Sequence, residues 1–324
     1  MNRPDLSVVV VSWNVRELLC GCLRSLRETA GVLDVEVVVV DNASSDGSAE
    51  QVRTAFPQVQ LIALDENTGY AGGNNRGLAA SHGRHVLSLN PDTVVRPGAL
   101  EAIVRTLDSD PHIGAVAPRN LREDGRVRPS ARRFPSRAAM LYRYLFFRGI
   151  QPLRGAYRAY RMRDVAWDRE MSVDQPAGAA LAVRRTVLEE VGGWDDGFFM
   201  YFEEVDLCRR IRDRGYEIRF TPEAEVVHLG GRSTRQMGSA RRLAFFRSMF
   251  RYFDKHGESA RTRLFRVVFK AGYVVTAMLE LPVSLVSAAA SALAGRPQKA
   301  RRALGTLAQT AVFLTRDVWR FLAA

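Results

Sequence analysis

The sequence predicts an α/β protein: a mostly parallel central sheet with helices on both faces, followed by a helical C-terminal extension. Two observations predict it. Over residues 1–118, short β-branched runs alternate with stretches of helical periodicity, which is how repeated βα units read. From residue 239 onward the spacing is compatible with helix alone. A 47% apolar content gives 324 residues enough material for a substantial core, which excludes a globally disordered chain.

The elements follow in order. The run LSVVVVSW is apolar without alternation, as in a strand buried on both faces. VRELLCGCLRSLRET has helical spacing. VEVVVVD predicts the second strand, SDGSAEQVRTA a helix capped by Asp46 or Ser48, and QVQLIAL the third strand. GYAGGNNRGLAAS is a glycine-rich turn leading into a helix. RHVLSLNPD predicts a strand, PGALEAIVRTLDS a helix with Pro97 near its start, and IGAVAP another strand. Past residue 118 the rhythm breaks. EDGR predicts a hairpin turn, and the Arg-rich run to YRAYRMRDVAW a short helix and a loop. QPAGAALAVRR reads as a strand, TVLEEVGGW as a helix ending at Gly192, EEVDLCRRIRDRG as a helix from near Glu203 to Gly215, and AEVVHLGG as a strand.

Charge is distributed in blocks. Residues 1–118 carry net −5, 119–170 net +9, 171–230 net −5 and 231–324 net +13, for a total of +12. Basic blocks of this kind suit an anionic partner. The three cysteines, Cys20, Cys22 and Cys208, have neither metal-site nor disulfide-framework spacing, in keeping with a reducing compartment. The N-terminus turns polar too soon for a signal peptide. Between Lys270 and Gly295 the only charge is Glu280 and the only proline Pro282.

Ligands of open α/β sheets lie at the carboxyl ends of the strands. The polar residues expected there are Ser12, Asn14, Asp41, Asn42, Asn90 and Asp92. A carboxylate at Asp41 can accept hydrogen bonds from a base or ribose, or simply form the turn. In ENTGYAGGNNRG, glycines let backbone approach a ligand, and N–H groups at a helix start attract phosphate. The run is neither a dinucleotide fingerprint nor a P-loop. Asp92 beside a diphosphate can hold Mg²⁺ or Mn²⁺, which use one or two carboxylates plus phosphate oxygens. His228, at a strand end, is a structural histidine or the second ligand of that metal, where imidazole favours Mn²⁺. On a helix starting near Glu203, successive side chains diverge by about 100°, so Glu203 and Glu204 face apart. One of them facing the cleft is a general base, and one base without a separate nucleophile suits a single displacement. Asp206 is placed to pair with Arg209 or Arg210.

Taken together, SVVVVSWN, VVVVDNASSDGS, NTGYAGGNNRG, LNPDTVV, GAALAVRR, GGWDDGFFMYFEEVDLCRRI and VVHLGG resemble the family 2 glycosyltransferases, and most of all bacterial rhamnosyltransferases of cell-surface polysaccharide assembly. The resemblance spans residues 6–235 and implies the GT-A fold and metal-dependent, inverting transfer from a nucleotide sugar, with dTDP-rhamnose the expected donor. It implies that Asp41 contacts the base, that Asn14 lies near the nucleoside, that Asn67, Gly69 and Asn74 lie by the diphosphate, and that Ser12 and Asn90 belong to the same nucleotide-sugar site. Asp92 is the last residue of the family's D-x-D position, which here reads Asn90-Pro91-Asp92 and lacks the first acid. His228 matches the metal-supporting histidine. Glu204 matches the family's base, with Glu203 its alternative. Trp194, Asp195 and Asp196 line the acceptor side.

The implied organisation is a catalytic domain over 1–238, with a nucleotide-binding half (1–118) and an acceptor half (119–238), then a basic helical extension over 239–324. That extension is expected to lie on an anionic membrane surface, to pack against a second copy in a homodimer, or to span the bilayer. The resemblance implies a lipid-linked or glycan acceptor and a peripheral cytoplasmic place at the inner face of the cell membrane. Nucleic acid is not an expected partner, since acids at the strand ends repel phosphate unless a metal intervenes. A non-catalytic nucleotide-sugar binder and a nucleotide-sugar hydrolase are the competing classes.

Overall fold

The computed structural model describes residues 3–145, 151–162, 164–176, 178–230, 236–238 and 240–324. Parts of the Arg-rich stretch expected as a loop, 146–150 and 163, lie outside them. The chain forms two compact units, 1–134 with 161–236, and 135–160 with 237–324. The breaks fall at 134/135, 160/161 and 236/237. Residues 135–160 join the C-terminal unit, where their first helix packs on the long C-terminal one.

The first unit begins with β1 (Leu6–Ser12), α1 (Arg16–Thr29), β2 (Val35–Asp41), α2 (Ser48–Ala55), β3 (Gln60–Ala63), α3 (Gly69–Ala79), β4 (His85–Leu89), β5 (Thr93–Val95) and α4 (Ala99–Ser109). It continues with β6 (Ile113–Leu121), β7 (Val127–Arg128) and β8 (Ala131–Arg132). The C-terminal unit contributes α5 (Arg137–Tyr144) and most of α6 (Gln151–Arg161). The first unit resumes with β9 (Met171–Ser172), β10 (Gln175–Pro176), β11 (Ala180–Arg184), α7 (Arg185–Glu190), α8 (Glu203–Asp213) and β12 (Glu217–His228).

The main sheet runs β3-β2-β1-β4-β11-β6-β12-β5. Strands β3, β2, β1 and β4 are parallel, as are β6 and β12. The unbroken VVVV run of β1 serves two cores. Val8 and Val10 pack with Leu19, Leu23 and Leu100 on one face, and Val9 and Val11 with Ala71, Val187 and Leu207 on the other. Alternate residues of a strand point to opposite faces, so helices on both sides require this composition.

Three features depart from the sequence reading. Strand β11 inserts antiparallel between β4 and β6. The three-residue β5 pairs antiparallel with the end of β12, setting Thr93 opposite His228. Strand β12 starts at Glu217, well before the expected AEVVH, and is interrupted by an irregularity between Thr221 and Glu225. The EDGR hairpin forms as expected, joining β6 to β7 through Arg122 and Arg126.

The second unit adds α9 (Ala240–His256), α10 (Ser259–Leu293) and α11 (Pro297–Val312), then a π-helical turn over Phe313–Asp317 and α12 (Val318–Ala323). Its core is aromatic. Phe246, Phe250, Phe269 and Phe321 are fully buried, with Phe246 edge-on to Tyr273 at 4.7 Å. The far half of α10 is different. It pairs with α11 through small residues, with Ser284, Ala288, Ala300 and Thr310 buried. Its large apolar side chains, Leu279, Val283, Leu285 and Val286, face outward. This helix is long and apolar enough to cross a membrane, yet only 17% of its apolar window is buried.

Candidate active site

Register brings the polar strand ends together. Ser12 and Asp41 are paired neighbours closing β1 and β2. Asp41 is buried. Its Oδ2 accepts the Ser44 N–H at 3.0 Å, while Oδ1 has no hydrogen-bond partner, nor does the buried Ser12 Oγ. Asn14 sits beside them in the left-handed region, at φ +53°. Its N–H donates to Ser44 Oγ at 2.9 Å and its Oδ1 accepts the Ser45 N–H at 2.7 Å, which locks the loop after β1 to the loop after β2. Asp46 reinforces this lock, its Oδ2 accepting the Arg16 N–H at the start of α1.

At the end of β4, the Asn90 N–H donates to the Ala179 carbonyl at 2.9 Å, and the chain turns through Asp92 into β5. The antiparallel β5–β12 pairing delivers His228 to Asp92, with Nε2 3.3 Å from Oδ1. Asp92 is buried, and His228 Nε2 makes no hydrogen bond. Among the described residues no group of three or more His, Cys, Asp or Glu side chains can hold a metal. A divalent cation here would therefore take at most this carboxylate and imidazole, and draw its other ligands from phosphate oxygens. That donor set fits Mn²⁺ or Mg²⁺ carried in with a diphosphate.

The glycine-rich turn works differently from the expectation. Its first N–H groups are already spent: Thr68 donates to Asn42 Oδ1, Gly69 to Asn67 Oδ1 and Tyr70 to the Phe199 carbonyl. The start of α3 thus offers none of these three to a phosphate. The glycines serve packing instead. A Cβ on Gly69, at φ +77°, would overlap the Phe199 carbonyl, and one on Gly73 or Gly77 would strike Val11 or Val9. Asn74 is likewise engaged at both ends, donating to the Tyr70 carbonyl and accepting from Ser88.

The acids lie at the start of α8. Tyr201 and Phe202 just before it both adopt positive φ, +69° and +66°. Two consecutive left-handed aromatics are strained and persist only where surroundings over-determine them. Glu203 is buried, whereas Glu204 is partly exposed. Burial holds the Glu203 carboxyl well above the usual range, and the neighbouring Glu204 charge pushes the same way. Burial also raises Glu204, opposed by N–H groups at the helix start and by Arg132 on β8. Neither Oε2 has a hydrogen-bond partner. Asp206 is fully buried and pairs with Arg210, whose Nε donates to Oδ2 at 2.8 Å while Nη1 ties the Val191 and Gly193 carbonyls. Arg209 pairs with Asp213 instead.

On the expected acceptor side, Trp194 is buried edge-on to Tyr70, with ring centroids 6.0 Å apart. Its backbone N–H and carbonyl both bond the Asn75 amide, which also reaches Asp196. Asp195 accepts the Gly197 N–H. Tyr70, Asn75, Ser88 and Arg132 were not singled out from the sequence. Only the second asparagine of GGNNRG offered a signal, by its place in the glycine-rich turn.

Buried polar groups are nearly always hydrogen-bonded, and exceptions call for an explanation. Such atoms occur in several parts of the described structure, His85 at the start of β4 and Thr221 within β12 among them, but those of Ser12, Asp41, Thr93, Glu203, Glu204 and His228 gather at strand ends on the carboxyl side of the sheet and at the start of α8. A polar ligand with its own donors and acceptors would satisfy them.

Comparison with known proteins gives this arrangement a family context. Residues 7–184 match the pattern of "Glycosyl transferase family 2". The chain is 32% identical to the N-acetylglucosaminyl-diphospho-decaprenol L-rhamnosyltransferase of Mycobacterium tuberculosis, over 78% of its own length and 85% of that protein's. It is 25% identical to the low-salt glycan biosynthesis hexosyltransferase Agl10 of Haloferax volcanii, over 69% and 67% of the two chains. Among solved structures, the mannosyltransferase PcManGT of Pyrobaculum calidifontis, in complex with GDP-Man and Mn²⁺, superposes with a TM-score of 0.56. That match has 20% identity and covers 98% of this chain and 88% of the other.

Proposed function

The chain belongs to glycosyl transferase family 2, with the GT-A fold, and on that premise we propose that it moves a sugar from a nucleotide-sugar donor to a hydroxyl of a lipid-linked glycan acceptor in cell-envelope assembly. The proposed donor is dTDP-L-rhamnose, a choice supported by the rhamnosyltransferase relative. The observation that carries the reading is the group of buried polar atoms without hydrogen bonds at the carboxyl end of the sheet and the start of α8.

In this reading Asp41 accepts from the base, with Ser12 and Asn14 beside the nucleoside and Asn67 and Asn90 on the donor side. Asp92 and His228 hold a divalent cation, which when bound neutralises charge on the departing diphosphate. Glu204 accepts the proton of the acceptor hydroxyl as its oxygen bonds to the anomeric carbon. The bond from that carbon to the diphosphate breaks on the opposite side, so the configuration inverts. Asp195 and Asp196 border the acceptor, and buried Phe198, Phe202 and Trp194 exclude water from the reacting sugar. Residues 1–118 serve as the donor half and, with 135–160 belonging to the C-terminal unit, residues 119–134 and 161–236 as the acceptor half of the catalytic domain.

A thermal-shift screen of dTDP-, UDP- and GDP-sugars with Mg²⁺ or Mn²⁺ tests the donor, because a ligand of the native state raises the midpoint. The expected result is a rise with dTDP-rhamnose. A rise confined to UDP- or GDP-sugars replaces the donor. No rise with any of them removes the donor-binding reading.

The proposed place of work is the inner face of the cell membrane. The outward apolar residues of α10 and the basic residues of α11 and α12 suit an anionic interface. The basic tip at Arg296, Lys299, Arg301 and Arg302 opposes passage through the bilayer. Full-length protein is expected to float with phosphatidylglycerol vesicles, and a Leu279→Glu, Val283→Glu, Val286→Glu variant to stay at the bottom of the gradient. Equal flotation of the two would sink the anchor. A concentration-dependent dimer lost in the variant would instead assign this face to a second copy.

A further inference from the structure

We propose that Asn42 is a positioning residue for the catalytic glutamate, acting through a chain of contacts that runs Asn42, Gly69, Phe199 and then the start of α8. From the proposed function it takes the role of Glu204 as base and dTDP as the nucleotide bound at Asp41. Asn42 follows the donor-side carboxylate Asp41 directly and is itself buried. Its own N–H donates to the Ser12 carbonyl at 2.8 Å, which fixes it to the strand edge. Its side chain then reaches the glycine-rich turn twice. Oδ1 accepts the Thr68 N–H at 2.9 Å, and Nδ2 donates to the Gly69 carbonyl at 2.9 Å. An asparagine has one acceptor and one donor end, and both are used on adjacent residues of the same turn.

That turn hands the constraint on. The Tyr70 N–H donates to the Phe199 carbonyl at 2.8 Å, and Gly69 lies so close to the same carbonyl that no side chain fits. Further along α3, Asn75 holds both backbone polar groups of Trp194. The segment before α8 is thus pinned from α3 at Trp194 and again at Phe199. Two residues after the second pin come the left-handed Tyr201 and Phe202, and then Glu203 and Glu204. A strained backbone needs its neighbours fixed in order to persist. The Phe199 contact ties the segment leading to the glutamates back to α3, and Asn42 holds the turn that makes it. Asp41 and Asn42 therefore divide the work of one dipeptide, with the carboxylate facing the nucleotide and the amide setting the position of the base.

The test compares wild type with Asn42→Ala, Asn42→Asp and Gly69→Ala. Turnover is measured at saturating donor and counted per dTDP-binding site, and dTDP affinity by calorimetry. Misplacing a reacting group by about 1 Å costs on the order of 10²-fold. Asn42→Ala is expected to lower turnover by roughly 10- to 100-fold while dTDP affinity changes less than about threefold. Asn42→Asp retains the acceptor for Thr68 and is expected to recover part of the loss. Gly69→Ala breaks the same chain from its other side and should reproduce the Asn42→Ala pattern. Hydrogen exchange reads the link without any activity: Asn42→Ala should accelerate exchange at residues 198–206 as well as at 66–72. Loosening confined to 66–72, or a loss of dTDP affinity at unchanged turnover, overturns the proposal. A wild type that is inactive with every donor defeats the proposed function, while the exchange result still decides the link.

Discussion

Replacing Glu204 by glutamine is expected to lower turnover by about 10²–10⁴-fold, the range supplied by a positioned general base, with the thermal midpoint preserved. The argument starts from the two glutamates that open α8. Adjacent helical residues diverge by about 100°, and exposure separates the two. Glu203 is 6% exposed, while Glu204 remains partly open and has the Arg132 charge to favour its ionised form. A base must reach its proton and be ionised to take it, and Glu204 meets both conditions better. Burial raises its carboxyl above the ordinary range, so the acid limb of the turnover profile should lie above the usual carboxylate region and disappear in Glu204→Gln. Glu203→Gln should behave in the opposite way. A carboxyl whose pKa is raised in the folded state stabilises the fold only while protonated, and that stability is lost as pH rises through the raised value. Removing this charge should therefore raise the midpoint at alkaline pH and leave it nearly unchanged at pH 4. Full activity in Glu204→Gln together with inactivity in Glu203→Gln would transfer the role to Glu203.

The division between Glu203 and Glu204 also shows where sequence reading stops. Asp41 at a strand end, the start of α8 at Glu203 and a partner for Asp206 were all legible. Each depends on local spacing: strand length, helix phase and an i to i+4 ion pair. The direction of β11 was not legible, because alternation and β-branching carry no direction. The three-residue β5 was too short to show periodicity, yet it brings His228 to Asp92. The glycine-rich turn misled for a related reason. Glycine signals close approach, but sequence does not say what approaches. Here it is Val9, Val11 and the Phe199 carbonyl, the last 130 residues from Gly69 along the chain. No local signal marks Tyr201 and Phe202 as left-handed, since aromatic side chains disfavour that region. Their conformation belongs to the contacts around them, which is why the geometry of the base had to come from the fold.

Asp92→Asn is expected to reduce transfer by roughly a hundredfold or more, the consequence of losing several kcal/mol of charge stabilisation at the departing diphosphate. The first acid of the D-x-D position is Asn90 here, so Asp92 is the only carboxylate left in that motif. The proposed second donor is His228, which the pairing of β12 with β5 brings to 3.3 Å from Asp92. A site with two protein donors is weak until a diphosphate supplies the remaining oxygens. Cation and nucleotide should therefore bind interdependently. In wild type, Mn²⁺ alone should shift the thermal midpoint little, dTDP alone modestly, and the two together by more than their sum. Asp92→Asn should abolish that excess and leave the dTDP-only shift, which rests on Asp41. His228→Ala should reduce the excess without erasing it, and should do so more for Mn²⁺ than for Mg²⁺, because imidazole is the softer ligand. An excess that persists in Asp92→Asn would place the cation elsewhere. Strictly additive shifts in wild type would mean that the diphosphate leaves without a metal, and the basic side chains of the first unit would then be the groups to test for the leaving charge.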